Sequence, residues 1–373
     1  MPVGENSRPP FRADHVGSLL RPPELHAARA ARKAGKIDAA ELRKVEDQAI
    51  RDAVRLQEDL GFHAVTDGEF RRAYWHIDFL TQFDNAVAIA PNVKARFHTE
   101  AGDIEAQPPG IRVVGKLARS KFIMGDDFAF LKSVAKVTPK VTIPSPSNMH
   151  FRGGRAAIDE KAYPDLAEFY ADLGRIYAEE VAALGAAGCT YLQLDEVFLA
   201  YLCDPKLRDQ VRSIGENPDT LPRTYANLIN AAIATRPPGM TLAMHLCRGN
   251  FTSAWVAEGG YDPVAEILFN DINIDGYFLE YDSPRAGTFA ALRFVPKGKK
   301  VVLGLVTTKK GELEKPDDLR RRIDEAAKYV PLDQICLSPQ CGFASTEEGN
   351  RVTLDEEIAK LRLVQEVAHL VWG

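Results

Sequence analysis

Twice in this chain a run of helical period ends on Leu-Gly and soon gives way to a short apolar run that closes on acids. Residues 39–60 repeat Leu42, Val45, Ala49, Ala53, Leu56 and Leu60 along one helix face, and Gly61 supplies a stop. Phe-His-Ala-Val-Thr-Asp-Gly-Glu (62–69) follows directly. The pattern returns in Leu166, Tyr170, Leu173, Tyr177 and Leu184, then Thr-Tyr-Leu-Gln-Leu-Asp-Glu (190–196). Helices alternating with short apolar strands require a parallel sheet, because each crossover packs its helix onto the sheet face.

Eight such strands are expected: 15–18, 64–69, 141–147, 191–196, 242–247, 277–281, 301–306 and 335–341. Eight is the strand count of a (β/α)8 TIM barrel, which a chain of 373 residues can form as one domain over 1–373. Between strands two and three lies a surplus stretch, 77–139. Its runs 111–117 and 121–124 are expected to pair as an inserted β-hairpin. An open doubly wound sheet is the competing fold, but no Gly-rich phosphate loop follows the first strand.

In a barrel, the C-terminal strand ends carry the chemistry. Here they hold Ser18, Glu69, Ser145, Ser147, Asp195, Glu196, His245, Cys247, Glu280, Thr307 and Cys341. Residues two apart on a strand share a face, so His245 and Cys247 point the same way. An imidazole, two thiols and a carboxylate, from His245, Cys247, Cys341 and Glu280, make a tetrahedral zinc set. Their spread over almost a hundred residues excludes a zinc finger and fits a site built from several strands. Blander roles compete: Glu280 paired with a neighbouring Arg, Asp195-Glu196 as helix N-terminal acids, and 70–76 as a solvated helix start.

Charge and cysteine usage narrow the setting. A net charge of −5 gives no footprint for nucleic acid or an anionic membrane. No apolar run is long enough to span a bilayer, and the first residues lack a signal-peptide core, so a cytoplasmic protein is expected. Five scattered cysteines (189, 203, 247, 336, 341) do not suggest a disulfide framework. Cys189 and Cys336 read as core.

At these residues the chain resembles the catalytic half of cobalamin-independent methionine synthase, and more closely the short single-barrel proteins related to it. The motifs are His-Val-Gly-Ser-Leu-Leu-Arg-Pro (15–22), His-x-Cys (245–247), Glu280 and Pro-Gln-Cys-Gly (339–342). The resemblance implies a catalytic zinc on His245, Cys247, Glu280 and Cys341. It also implies homocysteine contacts at Val16-Gly17-Ser18, Gly68-Glu69 and Asp195-Glu196, with Glu69 and Asp195 as the catalytic acids. His15, Arg71 and His76 complete the substrate-facing candidates. Two features depart from the family. The seventh strand ends Leu-Gly-Leu-Val-Thr-Thr-Lys (303–309), without the family's proton-donating His, and the Trp that packs on folate is replaced near Met149-His150.

The expected activity is zinc-dependent S-methylation of a thiol, homocysteine, to give methionine. The donor is 5-methyltetrahydrofolate or a methylated corrinoid, in the latter case carried by a corrinoid protein. With no His at the seventh strand, His15, His76 and His150 are the candidate proton donors. A second reading is an alkyltransferase of the epoxyalkane:coenzyme M type, whose sulfonate would call on Arg71, Arg72 or Arg248. A third is a barrel with a structural, closed zinc site and no activity.

Overall fold

The computed structural model describes residues 8–90, 95–99, 102–106 and 109–373. Seven strands form one sheet in the order β1 (Ala64–Val65), β6 (Thr138–Pro144), β7 (Tyr191–Asp195), β8 (Thr241–Leu246), β9 (Gly276–Glu280), β10 (Lys300–Val306) and β11 (Ile335–Pro339). Every neighbouring pair runs parallel. Four of these strands are buried throughout, and β8 and β10 admit solvent only at their first residue, as expected of strands covered on both faces. Only β6 departs further, half-buried over its first two residues.

The helices that cover the sheet carry their own start signals. Helix Ala39–Asp59 opens on a capping box between Asp38 and Glu41, and helix Leu166–Ala186 on the Asp165 carboxylate. Their apolar faces join the large core between helices and sheet. A second, smaller core of Phe11, Val16, Ala64, Tyr191, Ala243, Phe278, Val302 and Cys336 is drawn from alternate faces of the same strands. Beside it Lys140 pairs with Asp14 at 3.2 Å and lies over the Phe278 and Tyr191 rings.

The two sheet edges are joined by the N-terminal segment. Ala13 bridges Leu337 of β11 in parallel, while the Thr66 hydroxyl donates to the Gly17 carbonyl and the Leu19 amide to that of Gly68. The arrangement is an α/β fold consistent with a TIM-like barrel. The first expected strand is displaced: pairing falls at Arg12–Asp14, not at 15–18. Gly17, with φ +138° and no room for a Cβ beside the Thr142 methyl, turns the chain out of the ladder towards the C-terminal strand ends.

The stretch between β1 and β6 holds two antiparallel ribbons. β2 (Asp84–Ile89) pairs with β5 (Gly110–Ala118), and β3 (Ala95–Thr99) with β4 (Gly102–Ala106). The expected hairpin of 111–117 with 121–124 is therefore corrected: the first run is a strand, but its partner is β2. Residues 121–124 form no strand because the Glu180 carboxylate takes the amides of Ile123 and Met124 before helix Gly125–Val134 begins.

Candidate active site

Parallel register sets the strand ends side by side. Asp195 stands opposite His245, and Glu280 opposite Gly304. Cys247 follows β8 by one residue and Cys341 follows β11 by two, so three soft donors converge from two strand ends. The ligand atoms of His245, Cys247 and Cys341 all lie within 4.8 Å of one another, and each residue is buried. Neither imidazole nitrogen of His245 has a hydrogen-bond partner. A buried imidazole left unsatisfied beside two thiols is costly without a further partner, and an imidazole–dithiol set suits a soft divalent ion such as zinc.

The two thiols differ sharply in acidity. A hydrogen bond from Cys247 and the neighbouring His245 ring hold Cys341 well below the usual thiol range, against the effect of burial. The same contact, with burial, pushes Cys247 well above it.

Glu280, expected as the fourth ligand, is not drawn into this cluster. Its Oε1 accepts from Arg285 Nε at 3.1 Å and from an Arg285 terminal nitrogen at 3.0 Å, and its Oε2 accepts the Arg248 amide at 2.8 Å. Burial would raise its pKa, but Arg285, Lys309 and Arg248 together hold it below the usual carboxylate range.

The three donors form one wall of a pocket also lined by Val16, Ser18, Glu69, His76 and Asp195. Glu69 sits at φ +60°, directly after Gly68 at φ +66°, a left-handed pair that aims its carboxyl inward. Its Oε1 accepts from Thr142 at 2.9 Å and lies 3.6 Å from Arg72, while its buried Oε2 has no partner. Burial raises its pKa over the pull of Arg72 and Arg21. Asp195 is pushed up to about 7, by burial first and then by the Glu69 charge. Gln193 donates to its Oδ1 at 2.7 Å.

A family model described as the catalytic domain of cobalamin-independent synthase matches residues 11–369. The chain belongs to that family. The Bacillus subtilis protein YxjH, itself uncharacterized, is 48% identical over 97% of this chain and 95% of its own length. A Pyrococcus abyssi methionine synthase is 24% identical over 94% of this chain and 89% of its own. The solved structure of a Listeria monocytogenes protein, provisionally described as a vitamin-B12-independent methionine synthase, superposes with a TM-score of 0.77. It is 38% identical and covers 99% of this chain and all of that one.

Several residues expected at the substrate stand elsewhere in this synthase-family fold. Glu196 is fully buried and caps helix Phe198–Tyr201: its Oε1 accepts the amides of Phe198 and Leu199, and Ser147 donates to its Oε2. The helix-end reading of this acid therefore holds. Arg71 is tied to Glu46, Asp47 and Asp127 on the helix side. Gly17 shapes the wall without lining it, since a Cβ there would meet the Thr142 methyl at 2.7 Å. His15 packs edge-on against Phe62, and His150 lies between Tyr225 and Glu216, both away from the pocket lining.

Other wall residues were not legible beforehand. Tyr74 and Trp75 belong to the stretch that reads as a solvated helix start, yet they line the pocket beside His76. Phe97, from β3, reaches the same pocket and packs on Phe251 with ring centroids 5.1 Å apart. Arg152 and Tyr201 complete the mouth. For Arg152 the available signal was a charge placed between Phe151 and Gly153-Gly154.

Proposed function

We propose that this chain is a zinc-dependent S-methyltransferase that methylates homocysteine to methionine, with 5-methyltetrahydrofolate or a methylated corrinoid as donor. The observation that carries the reading is one pocket holding His245, Cys247 and Cys341 on one side and Glu69, Asp195 and Ser18 on the other. Zinc held by the three soft donors would keep the substrate thiol deprotonated at neutral pH, where a free thiol of pKa about 8.5 is mostly protonated.

The remaining work belongs to the protein. The unpartnered Oε2 of Glu69, with Asp195, offers acceptors to the ammonium of a thiol amino acid, and Ser18 offers a donor to its carboxylate. Fixed in this way, the sulfur forms a bond to the donor's methyl carbon as the carbon–donor bond breaks, and the donor leaves with that electron pair. A folate nitrogen would then take a proton. His76 is the pocket histidine among the candidates; burial lowers it to about 3, so at neutral pH it acts as a neutral ring, relaying a proton rather than storing one. The buried free cysteines fit a reducing, cytoplasmic setting. Among the described residues no helix is long and apolar enough to cross a membrane.

The sulfonate-thiol reading loses its intended arginines. Arg71 faces the helices, Arg72 donates to Thr142, and Arg248 is spent on Gly259, Tyr261 and Glu280. A closed structural metal site would need a fourth ligand, and Glu280 is engaged elsewhere.

The test is methyl transfer by the zinc-loaded protein to homocysteine, with methyl-folate and methylcobalamin in parallel and methionine read by mass spectrometry. Methionine from either donor supports the reading. Its absence with both, in protein that binds zinc, sinks it.

A further inference from the structure

We infer that Thr142 and Gln193, register neighbours on β6 and β7 inside the barrel, form a positioning layer that sets Glu69 and Asp195 to receive an ammonium, so that the pocket selects an amino-acid thiol over one without an amine. The inference rests on the homocysteine reading above and goes beyond it. Neither residue lines the pocket; both lie beneath it.

The interior of a parallel barrel is ordinarily filled by branched apolar side chains. Gln193 lies two residues beyond Tyr191 and pairs in register with Ala243, both members of the inner core, so its side chain points into the barrel. Thr142 stands opposite it on β6 and shares that face. Both are buried. A buried amide or hydroxyl is costly there unless its hydrogen bonds offset the loss, and Gln193 keeps an orphan: its Oε1 has no partner. Packing alone would favour an apolar side chain at this position.

The amide nitrogen accounts for the residue. Nε2 donates to Asp195 Oδ1 and to the Val16 carbonyl, each at 2.7 Å. One side chain thus ties the acid on β7 to the turn that carries Ser18. Thr142 does the same for Glu69. Arg72 donates to the Thr142 oxygen at 2.8 Å, which leaves the hydroxyl proton for Glu69 Oε1 at 2.9 Å. The Thr142 methyl fills the space that a Cβ on Gly17 would need. Each acid is held through one oxygen: Glu69 Oε2 is unpartnered, and the Asp195 carboxyl is bonded through Oδ1 alone among the described residues. Two fixed acids, each with an oxygen to spare, suit the three N–H donors of an ammonium and offer nothing to a thiol that lacks one.

The test is calorimetric binding, to the full zinc-loaded chain, of homocysteine and of 4-sulfanylbutanoate, which is homocysteine without its amine. Wild type should prefer homocysteine. Gln193→Met and Thr142→Val should each weaken homocysteine about tenfold and 4-sulfanylbutanoate less than about twofold, a selective loss that follows from misplaced acceptors. Thr142→Ser keeps the hydroxyl and should keep the preference. Equal losses for both thiols, or a preference that survives in both variants, overturn the inference, because the layer would then serve packing alone. Thr142→Val beside Thr142→Ser decides the matter even if Gln193→Met does not fold. Equal binding of the two thiols by wild type would instead sink the amino-acid reading of the pocket, and this inference with it.

Discussion

Ser18 and Gly342 approach so closely that a Cβ on Gly342 would overlap the Ser18 hydroxyl oxygen. The contact is braced from both sides. The Phe343 amide donates to the Ser18 carbonyl at 2.9 Å, and Asn250 and Thr308 donate to the Gly342 carbonyl. The glycine after Cys341 thus lets two strand ends meet at the pocket floor. Gly342→Ala should displace Ser18 or Cys341 and lower kcat/KM for homocysteine by about tenfold or more, an effect of over 1 kcal/mol on transition-state binding. Steady-state kinetics beside a melting curve check it; unchanged KM and kcat would show that Ser18 does not touch substrate.

Metal retention should follow the three converging donors and ignore the other thiols. Cys247→Ser and Cys341→Ser are each expected to weaken zinc binding by at least about tenfold, since each removes a thiolate from a three-donor set. Cys336→Ser lies in the barrel interior and Cys203→Ser beside Asp204, so both should retain metal. Elemental analysis after dialysis against a weak chelator separates the groups. Equal loss in all four would mean that the cysteines act only through stability.

What the sequence made legible follows from local periodicity. Residues 191–195, 241–246 and 335–339 were readable as strands because apolar runs with flanking helices have few other uses, and His245-x-Cys247 followed from the two-residue repeat. The displaced first strand turned on one backbone angle at Gly17, which composition does not encode. The partner of residues 110–118 was missed because pairing with 84–89 is a long-range choice, settled by Glu180 capturing two amides from a distant helix. Glu196 and Asp195 are adjacent and alike in type, yet strand alternation sends one to the helices and the other to the pocket. Phe97 could not be placed at all, since nothing local says that its ribbon crosses to Trp255.

The buried pair of Lys140 and Asp14 makes a stability prediction. Lys140 also donates to the His15 carbonyl at 2.6 Å, and Tyr191 donates to the second Asp14 oxygen at 2.8 Å. Removing one partner leaves an unpaired charge inside the barrel. Asp14→Asn or Lys140→Met should therefore cost about 3–5 kcal/mol in urea unfolding. The double variant should recover part of that loss. Single-variant costs below about 1 kcal/mol would mean that water reaches the pair.

Glu357 gives the protein a pH dependence of definite sign. It lies in the first turn of helix Leu354–Trp372, and its Oε2 accepts the Leu20 amide at 2.9 Å, tying the C-terminal helix to the segment that lines the pocket. Burial pushes its carboxyl up to about 8, against the pull of the Leu20 amide and Arg21. Unfolded, the group titrates near 4.5. Between those values the native state keeps a proton that the unfolded state has released, so stability falls as pH rises through that window. The contribution is fully present below about 4.5 and gone above about 8, and the span bounds it at no more than about 5 kcal/mol. Glu357→Gln keeps an acceptor for Leu20 and cannot ionise. Relative to wild type it should gain stability steadily from pH 5 to pH 8.5, read as the difference between the two melting or urea midpoints at each pH. A constant difference across that range would place the carboxyl's titration outside it.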